Sequence, residues 1–139
     1  MISVPNASSF QYKWYGKKYA YYDSPSHLHQ FSSKSLDVLL GRYGFFRKKD
    51  FIVYQYQLFG HIQGLHNAIF PKHNYLYYRK KRGENFGLRK RELFVLDFYS
   101  YACLAVCVPV GLVLSIVDIL SADSRGVITR CFKKKKFNS

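Results

Sequence analysis

The sequence predicts a mainly α-helical protein with a single transmembrane helix, one amphipathic extramembrane helix and an extended N-terminal arm. Two observations support this prediction. One long apolar segment interrupts an otherwise basic chain, and a polar–apolar pattern of helical period precedes that segment. The chain has 139 residues, with 22 Lys and Arg against 8 Asp and Glu, and a formal net charge of +14. This length is enough for one domain.

The apolar segment is residues 93–120, within which Phe98–Val117 carries no charge. At about 1.5 Å per residue, a helix of this length spans roughly 30 Å, the thickness of a bilayer's hydrocarbon core. Asp97 and Asp118 border the uncharged stretch, and transmembrane helices tolerate a proline such as Pro109. The alternative is a helix buried in a soluble core. The remaining residues are too basic and polar to surround such a helix, so the sequence favours a membrane span.

Residues 50–71 are predicted to form the amphipathic helix, capped by Asp50 and ended by Pro71. At 100° per residue, an arc of large apolar side chains lies opposite an arc of polar and small ones. Residues 51–70 lack formal charge, so a second membrane span is an alternative. Six polar side chains count against it and favour a helix on the membrane surface or against a partner. They are Gln55, Gln57, His61, Gln63, His66 and Asn67.

Three further segments complete the organisation. Residues 1–49 are predicted to form an extended basic and aromatic arm, with a short helix over Ser35–Tyr43. Residues 72–92 form a basic hinge, and residues 121–139 form a basic C-terminal tail. The chain contains 13 Tyr, 12 Phe and 1 Trp, a density that excludes an ordinary disordered basic tail. Aromatic side chains are favoured in protein interfaces, so we expect many of them to anchor the arm to a partner.

A stripe of small residues runs along the predicted transmembrane helix: Cys103, Cys107, Gly111 and Ser115. Small residues at this spacing let a second helix approach closely, which drives association in lipid. The stripe therefore predicts a docking face for a larger membrane subunit. Two alternatives are that small residues are simply common in such helices, and that the two cysteines form a metal or redox pair. A thiol in apolar surroundings stays protonated and inert, which counts against the second.

Basic clusters flank the apolar segment and are predicted to bind anionic headgroups such as cardiolipin. The predicted headgroup ligands are Arg79, Lys80, Lys81, Arg82, Arg89, Lys90, Arg91, Lys133, Lys134, Lys135 and Lys136. Basic and aromatic residues also suit RNA, through phosphate contacts and base stacking. The apolar segment favours lipid over nucleic acid. Seven basic residues precede the span and six follow it within about 20 residues, so the positive-inside rule does not fix its orientation.

No catalytic site, metal site or cofactor is predicted. The eight acidic residues are scattered and give no carboxylate pair or nucleophile–base pairing. His61 and His66 are five residues apart, about 140° around a helix, and do not converge on one metal. The five histidines are therefore expected at surfaces or interfaces. Three cysteines are too few for a disulfide scaffold or a four-ligand zinc site.

In general character the chain resembles the supernumerary subunits of mitochondrial respiratory complexes and ATP synthases, which are small, basic and single-span. This resemblance implies a non-catalytic accessory subunit in the mitochondrial inner membrane that supports assembly, stability and lipid binding. Its partners would be the other subunits of a large membrane complex. The alternatives are a tail-anchored adaptor of the mitochondrial outer membrane and an RNA-binding mitoribosomal protein.

Overall fold

The computed structural model describes residues 1–22, 29–121 and 125–135. Over these residues the protein is mainly helical, with a small antiparallel sheet. The strands are β1 (Ile2–Pro5), β2 (Phe45–Phe51) and β3 (Val127–Lys134). The helices are α1 (Phe10–Tyr15), α2 (Ser33–Arg42), α3 (Tyr54–Ile69), α4 (Tyr75–Lys81) and α5 (Lys90–Leu120), with a 3-10 turn at Gly16–Lys18 after α1.

The predicted extended arm is wrong for most of its described length, because residues 1–22 and 29–49 contain a strand, two helices and most of a second strand. The short helix expected over Ser35–Tyr43 is confirmed as α2. Its first turn is fixed by a capping box, in which Ser32 and Ser35 bond reciprocally to each other's backbone N–H. The predicted Asp50 cap is also wrong, since Asp50 belongs to β2 and α3 begins at Tyr54.

The sheet joins the two ends of the chain. Its strand order is β1-β3-β2, and both pairings are antiparallel. Ile2 pairs with Arg130 on one side of β3, and Asp50 pairs with Arg130 on the other. The C-terminal segment is therefore the central strand of the sheet, and the segment predicted as a tail is structured from Val127 to Lys134.

Arg130 links the sheet to α2. Its side chain is only 5% exposed and pairs with Asp50 (Nε–Oδ1, 2.9 Å) and Asp37 (Nη1–Oδ1, 2.9 Å). It also donates to the hydroxyl of Ser33 at 2.6 Å and to the Ser33 carbonyl at 3.1 Å. One guanidinium thus holds β2, β3 and the first turn of α2 together, a task that suits its planar fork of donors.

We expect Arg130→Leu to lower the free energy of unfolding by about 2 kcal/mol, because two carboxylates lose their partner while water still reaches them. Lys133→Leu is the matched control, since Lys133 lies on the same strand with its side chain exposed. The two variants are compared by urea titration in detergent micelles, followed by circular dichroism. Equal, small effects for both would contradict the role assigned to Arg130.

Helices α3 and α5 form an antiparallel pair. Moving up α3, the Tyr54 hydroxyl lies 3.4 Å from Ser115 Oγ, Ile62 lies against Gly111, and His66 Nε2 lies 2.9 Å from Ser100 Oγ. Just beyond α3, the Phe70 ring is 5.6 Å from that of Tyr99. The contacts descend along α5 as they ascend along α3. Together they place the 16 residues of α3 beside α5 from Ser115 to Ser100.

A small aromatic core closes the connection between α3 and α5. Phe70 and Tyr75 are fully buried, with ring centroids 4.9 Å apart, and they pack with Cys103. The Tyr75 hydroxyl donates to Asp97 Oδ1 at 2.9 Å, and Arg79 Nε lies 3.5 Å from Asp97 Oδ2. The predicted basic hinge is therefore partly folded, because α4 is fastened to the N-terminal part of α5.

Within the described residues, α5 is the one helix long and apolar enough to cross a membrane, by its length and composition. Its best 18-residue window has a mean hydropathy of 2.5, and only 28% of that window is buried. The predicted apolar helix over 93–120 thus corresponds to α5, which begins three residues earlier. Most of its circumference carries exposed apolar side chains, including Phe98, Val106 and Val113.

Candidate functional site

The buried face of α3 is polar. The residues that α3 buries are Gln57, Gly60, His61, Gln63, Gly64, His66 and Asn67. Four of its large apolar and aromatic side chains, Tyr54, Tyr56, Phe59 and Ile69, are exposed, whereas Leu58, Ile62 and Leu65 are half-buried. The 100° period of the sequence separates these buried polar residues from the more exposed apolar ones. The polar face, however, lies inside against α5 and the N-terminal segment rather than toward water, and this reverses the arrangement of an ordinary soluble helix.

The densest part of this interior is a polar cluster at the C-terminal end of α5, formed by Gln11, Tyr15, His61 and Asp118. Asp118 Oδ2 lies 3.0 Å from His61 Nε2 and accepts from Gln11 Nε2 at 2.9 Å. The Tyr15 hydroxyl lies 3.0 Å from His61 Nδ1. In the tautomer that satisfies both contacts, His61 Nε2–H donates to Asp118 and Nδ1 accepts from the Tyr15 hydroxyl. The cluster connects α1, α3 and α5 through side chains alone.

Two glycines make room for Gln11 in this cluster. A Cβ at Gly60 would lie 2.0 Å from Gln11 Oε1, and one at Gly126 would lie 2.3 Å from it. Gln11 Nε2 also donates to the Gln57 carbonyl at 3.1 Å, and the Gly126 N–H donates to Gln57 Oε1 at 2.7 Å. The glutamines therefore close the gap between α3 and the start of the C-terminal segment, where only glycine fits.

The cluster has the hydrogen-bonding order of a proton relay, but it is sealed. Gln11 and His61 are fully buried, Asp118 is 2% exposed, and Tyr15 is 7% exposed. A catalytic base must reach the proton it removes from a substrate, and no group here lies at an open surface. The arrangement is suited to fixing the three helices in one geometry, because every broken bond would leave a buried polar group unpaired.

Three tyrosines of the N-terminal segment have raised pKa values. Burial raises the pKa of Tyr15, with the nearby charge of Asp118 adding to the effect. Burial is also the main cause of the raised pKa of Tyr19 and of Tyr21. The Tyr19 hydroxyl donates to the Gly126 carbonyl, and that of Tyr21 donates to the Tyr56 carbonyl at 2.8 Å. Each phenol must remain protonated to keep its place in the fold.

We expect the protein to lose stability as the pH rises above about 10, the ordinary tyrosine pKa. The folded-state pKa values are raised, so the unfolded chain releases these protons first. Each such tyrosine then lowers the free energy of unfolding by up to about 1.4 kcal/mol per pH unit. Urea titrations between pH 9 and pH 11 measure this slope. Tyr15→Phe should make the slope shallower, whereas Tyr43→Phe, at an exposed ring, should leave it unchanged.

A second polar cluster holds the N-terminal segment to the other end of α3. Asn67 Nδ2 donates to the Lys18 carbonyl at 3.0 Å, and Asn74 Nδ2 donates to the Ala20 carbonyl at 3.0 Å. Asn74 N–H in turn donates to Asn67 Oδ1 at 2.8 Å. Residues 11–20 therefore run along α3 from the Asp118 end to the α4 end.

The path of residues 11–20 along α3 places three lysines beside the α3–α5 pair. Lys13, Lys17 and Lys18 belong to the segment fixed by Gln11 at one end and by the Asn67 contact at the other, and all three side chains are exposed. The exposed Trp14 ring lies among them. We call these four residues the lysine flank. The α3–α5 pair consequently has one basic flank and, around most of α5, a continuous apolar surface.

The predicted docking stripe is buried, and α3 of the same chain covers it. Cys103, Cys107, Gly111 and Ser115 all belong to the buried face of α5. A Cβ at Gly111 would lie 2.6 Å from Ile62 Cγ1 and 3.1 Å from the Ile62 nitrogen. Small residues therefore permit close helix packing, as their spacing indicates, and the helix they receive is internal.

The predicted headgroup ligands lie at both ends of α5. Lys133, Lys134 and Lys135 are exposed at the end of β3, and Arg89, Lys90 and Arg91 are exposed at the start of α5. Lys80, Lys81 and Arg82 are exposed on α4 or at its end, whereas Arg79 is half-buried beside Asp97. Lys136 lies outside the described residues. Arg79 is thus the one member of the described set engaged by a carboxylate.

Sequence reasoning missed the Asp118–His61–Tyr15 arrangement because 57 and 46 residues separate its members. Of the histidines expected at surfaces or interfaces, His61 and His66 are fully buried at the contact between α3 and α5. One signal was available. Asp118 follows Ser115 by three residues and so continues the small-residue stripe, and an ionisable group on the packed face of an apolar helix requires a polar partner.

In the described part of the chain, no three His, Cys, Asp or Glu side chains are grouped so that they could hold a metal ion. No protein-family model, curated protein or solved structure matches the chain.

Proposed function

We propose that the protein is a non-catalytic accessory subunit of a larger membrane complex, in which α5 spans the bilayer and the shorter α3, of 16 residues, runs antiparallel along it, so that the two form a helical hairpin. The observation that carries this proposal is the contrast between the two sides of the helix pair. Around the uncharged stretch of α5 the exposed surface is apolar, as lipid requires, while the polar side chains of α3 other than Gln55 are sealed inside. Five of the six polar residues that counted against a second span are among those sealed.

The lysine flank supports the subunit part of the proposal. A helix pair alone in lipid would expose Lys13, Lys17 and Lys18 beside the uncharged stretch, where charged groups are costly. A partner subunit that supplies carboxylates or carbonyl oxygens would remove that cost. Further exposed apolar side chains outside the hairpin, Tyr43 and Phe46, are of the kind that protein interfaces favour.

The sheet determines the topology of the proposed hairpin. β1 and β2 precede α3, β3 follows α5, and all three strands belong to one sheet. If the hairpin crosses the bilayer, the three strands would lie on one side of the membrane and the α4–α5 connection on the other. This differs from a single-pass arrangement, which would separate the N-terminal part from β3.

The narrower proposal is that the host is an energy-converting complex of the mitochondrial inner membrane. The basic composition of the chain supports this proposal. Protease protection in mitochondria with an opened outer membrane separates this location from the outer-membrane adaptor. Carbonate extraction separates both from a mitoribosomal protein, which would be released with the soluble fraction.

The decisive experiment is native-gel electrophoresis of the full chain, with mass spectrometry of the co-migrating band. We expect a large complex that persists after carbonate washing of the membranes. Reversing the charge of Lys13, Lys17 and Lys18 to Glu should release the protein from it. The matched control reverses Lys34, Lys48 and Lys49, which are exposed on α2 and β2 and are not among the predicted headgroup ligands. Equal retention of both variants, or no large complex, would contradict the proposal.

A further inference from the structure

A groove of about 480 Å³ lies on the other flank of the helix pair, between α3, α4 and α5. This volume is within the range of ligand sites, roughly 300–1,000 Å³. Its walls are mostly apolar and come from all three helices: Leu58, Phe59 and Ile62 from α3, Leu76 from α4, and Leu104 from α5. A chain of methylene groups would match such a surface.

The rim of the groove is basic. Lys80 is the charged residue among those described that line it, and its Nζ lies 5.6 Å from the centre of the Tyr101 ring. One helical turn before Tyr101, Asp97 binds Arg79, so the neighbouring cation is already neutralised. Lys80 has no carboxylate partner among the ion pairs of the described residues. Its charge is available to an anion at the mouth of the groove.

The position of the groove along α5 matches the depth profile of a lipid. Tyr101 lies in the first turn of the uncharged stretch, where a headgroup would sit if α5 spans the bilayer. Leu104 and Ile62 lie further along the helix pair, at the level of the hydrocarbon. Charge at the boundary followed by an apolar channel inward is the order of an anionic headgroup followed by its acyl chain.

We propose that this groove binds one anionic phospholipid, with its phosphate at Lys80 and one acyl chain between α3, α4 and α5. This inference rests on the proposed function, because only a membrane-spanning α5 places Lys80 at the level of headgroups. The inference is more specific than the prediction that basic clusters attract anionic headgroups, because it assigns one lipid to one groove and one lysine.

The test uses the full chain in neutral detergent and native mass spectrometry with phosphatidylglycerol. We expect one phosphatidylglycerol per chain and markedly less phosphatidylcholine. Lys80→Gln should weaken phosphatidylglycerol binding at least about fivefold, the effect of removing one interfacial cation. Lys81→Gln is the matched control, because Lys81 is the adjacent exposed cation and does not line the groove. Equal weakening by both variants would overturn the proposal in favour of diffuse attraction.

A second pair of variants tests the acyl-chain channel. Leu104→Trp should fill the groove and abolish binding, while Val106→Trp, on the exposed surface of α5, should leave it intact. If circular dichroism shows that Leu104→Trp does not fold, the comparison of Lys80→Gln with Lys81→Gln tests the proposal by itself. Competition by soluble glycerol phosphate would show a free-phosphate site and would overturn the lipid assignment.

Carbonate extraction of the same wild-type protein separates the two proposals. A chain that stays in the membrane pellet but binds no phosphatidylglycerol disproves the groove and leaves the subunit proposal standing. A chain that is released into the supernatant disproves the membrane span on which both depend.

Discussion

Gly111→Leu is expected to lower the free energy of unfolding by about 3 kcal/mol or more. A Cβ at this position would lie 2.6 Å from Ile62 Cγ1 and 3.1–3.2 Å from the Ile62 backbone. The side chain could rotate away, but the backbone of α3 can only move as a whole. Overpacking of this kind usually costs about 1–3 kcal/mol, and leucine adds three further carbons to the clash.

The consequence reaches beyond the contact itself. If α3 moves away from α5, the His61–Asp118 and His66–Ser100 hydrogen bonds lengthen on either side of Gly111. We therefore expect a graded series, with Gly111→Ala less harmful than Gly111→Leu. Val113→Leu serves as the control, because Val113 is 64% exposed on the same helix. Thermal unfolding in detergent, followed by circular dichroism, ranks the three variants. If Gly111→Leu lowers the unfolding temperature no more than Val113→Leu does, α3 does not pack closely on the small-residue stripe.

Asp118→Ala is expected to cost about 3 kcal/mol of unfolding free energy. The change removes the acceptor that His61 Nε2 and Gln11 Nε2 share, in a place where no water reaches them. A buried donor left unpaired costs about 1–3 kcal/mol, and Asp118→Ala leaves two such donors without their shared acceptor. Asp118→Asn should cost much less, because its amide oxygen still accepts a hydrogen bond in the same position.

A double-mutant cycle shows whether the cost comes from this cluster. Asp118→Leu combined with His61→Leu should be less destabilising than the sum of the single variants, because the second change removes the donor that the first one strands. Glu84→Ala, in the exposed connection between α4 and α5, is the control. Strict additivity of the two leucine variants would mean that Asp118 and His61 do not depend on each other.

Three of the five described helices, α2, α3 and α5, were predictable, whereas α1 and α4 lie in segments predicted as an arm and a hinge. An uncharged stretch of membrane length and a 100° period predict α5 and α3 directly, and Pro71 follows the end of α3 at Ile69. The sheet was missed for a physical reason. β2 reads Phe-Phe-Arg-Lys-Lys-Asp-Phe, without alternation of polar and apolar residues, and β1 and β3 are brought together only by the α3–α5 hairpin between them.

The environment of α3 was also beyond the reach of periodicity. An amphipathic pattern separates two faces but does not say which one is buried, and polar residues usually face water. In α3 they face Asp118, Ser100 and the Lys18 carbonyl, all distant in sequence. The candidate site depends on this inversion, so it became visible only in three dimensions.

The proposed hairpin of α3 and α5 would place residues before and after the two helices on one side of the membrane and the connection between them on the other. Single cysteines replace Ser3, Asn85 and Lys135 in a chain whose native cysteines are changed to serine or alanine. A membrane-impermeant maleimide is then applied to sealed vesicles, before and after they are opened. We expect positions 3 and 135 to label from one side of the membrane and position 85 from the other.

Two other patterns would contradict this account. If positions 3 and 85 share a side and 135 lies opposite, α5 spans alone and α3 has left it. If all three positions label from the same side, the helix pair lies along the surface and no span exists.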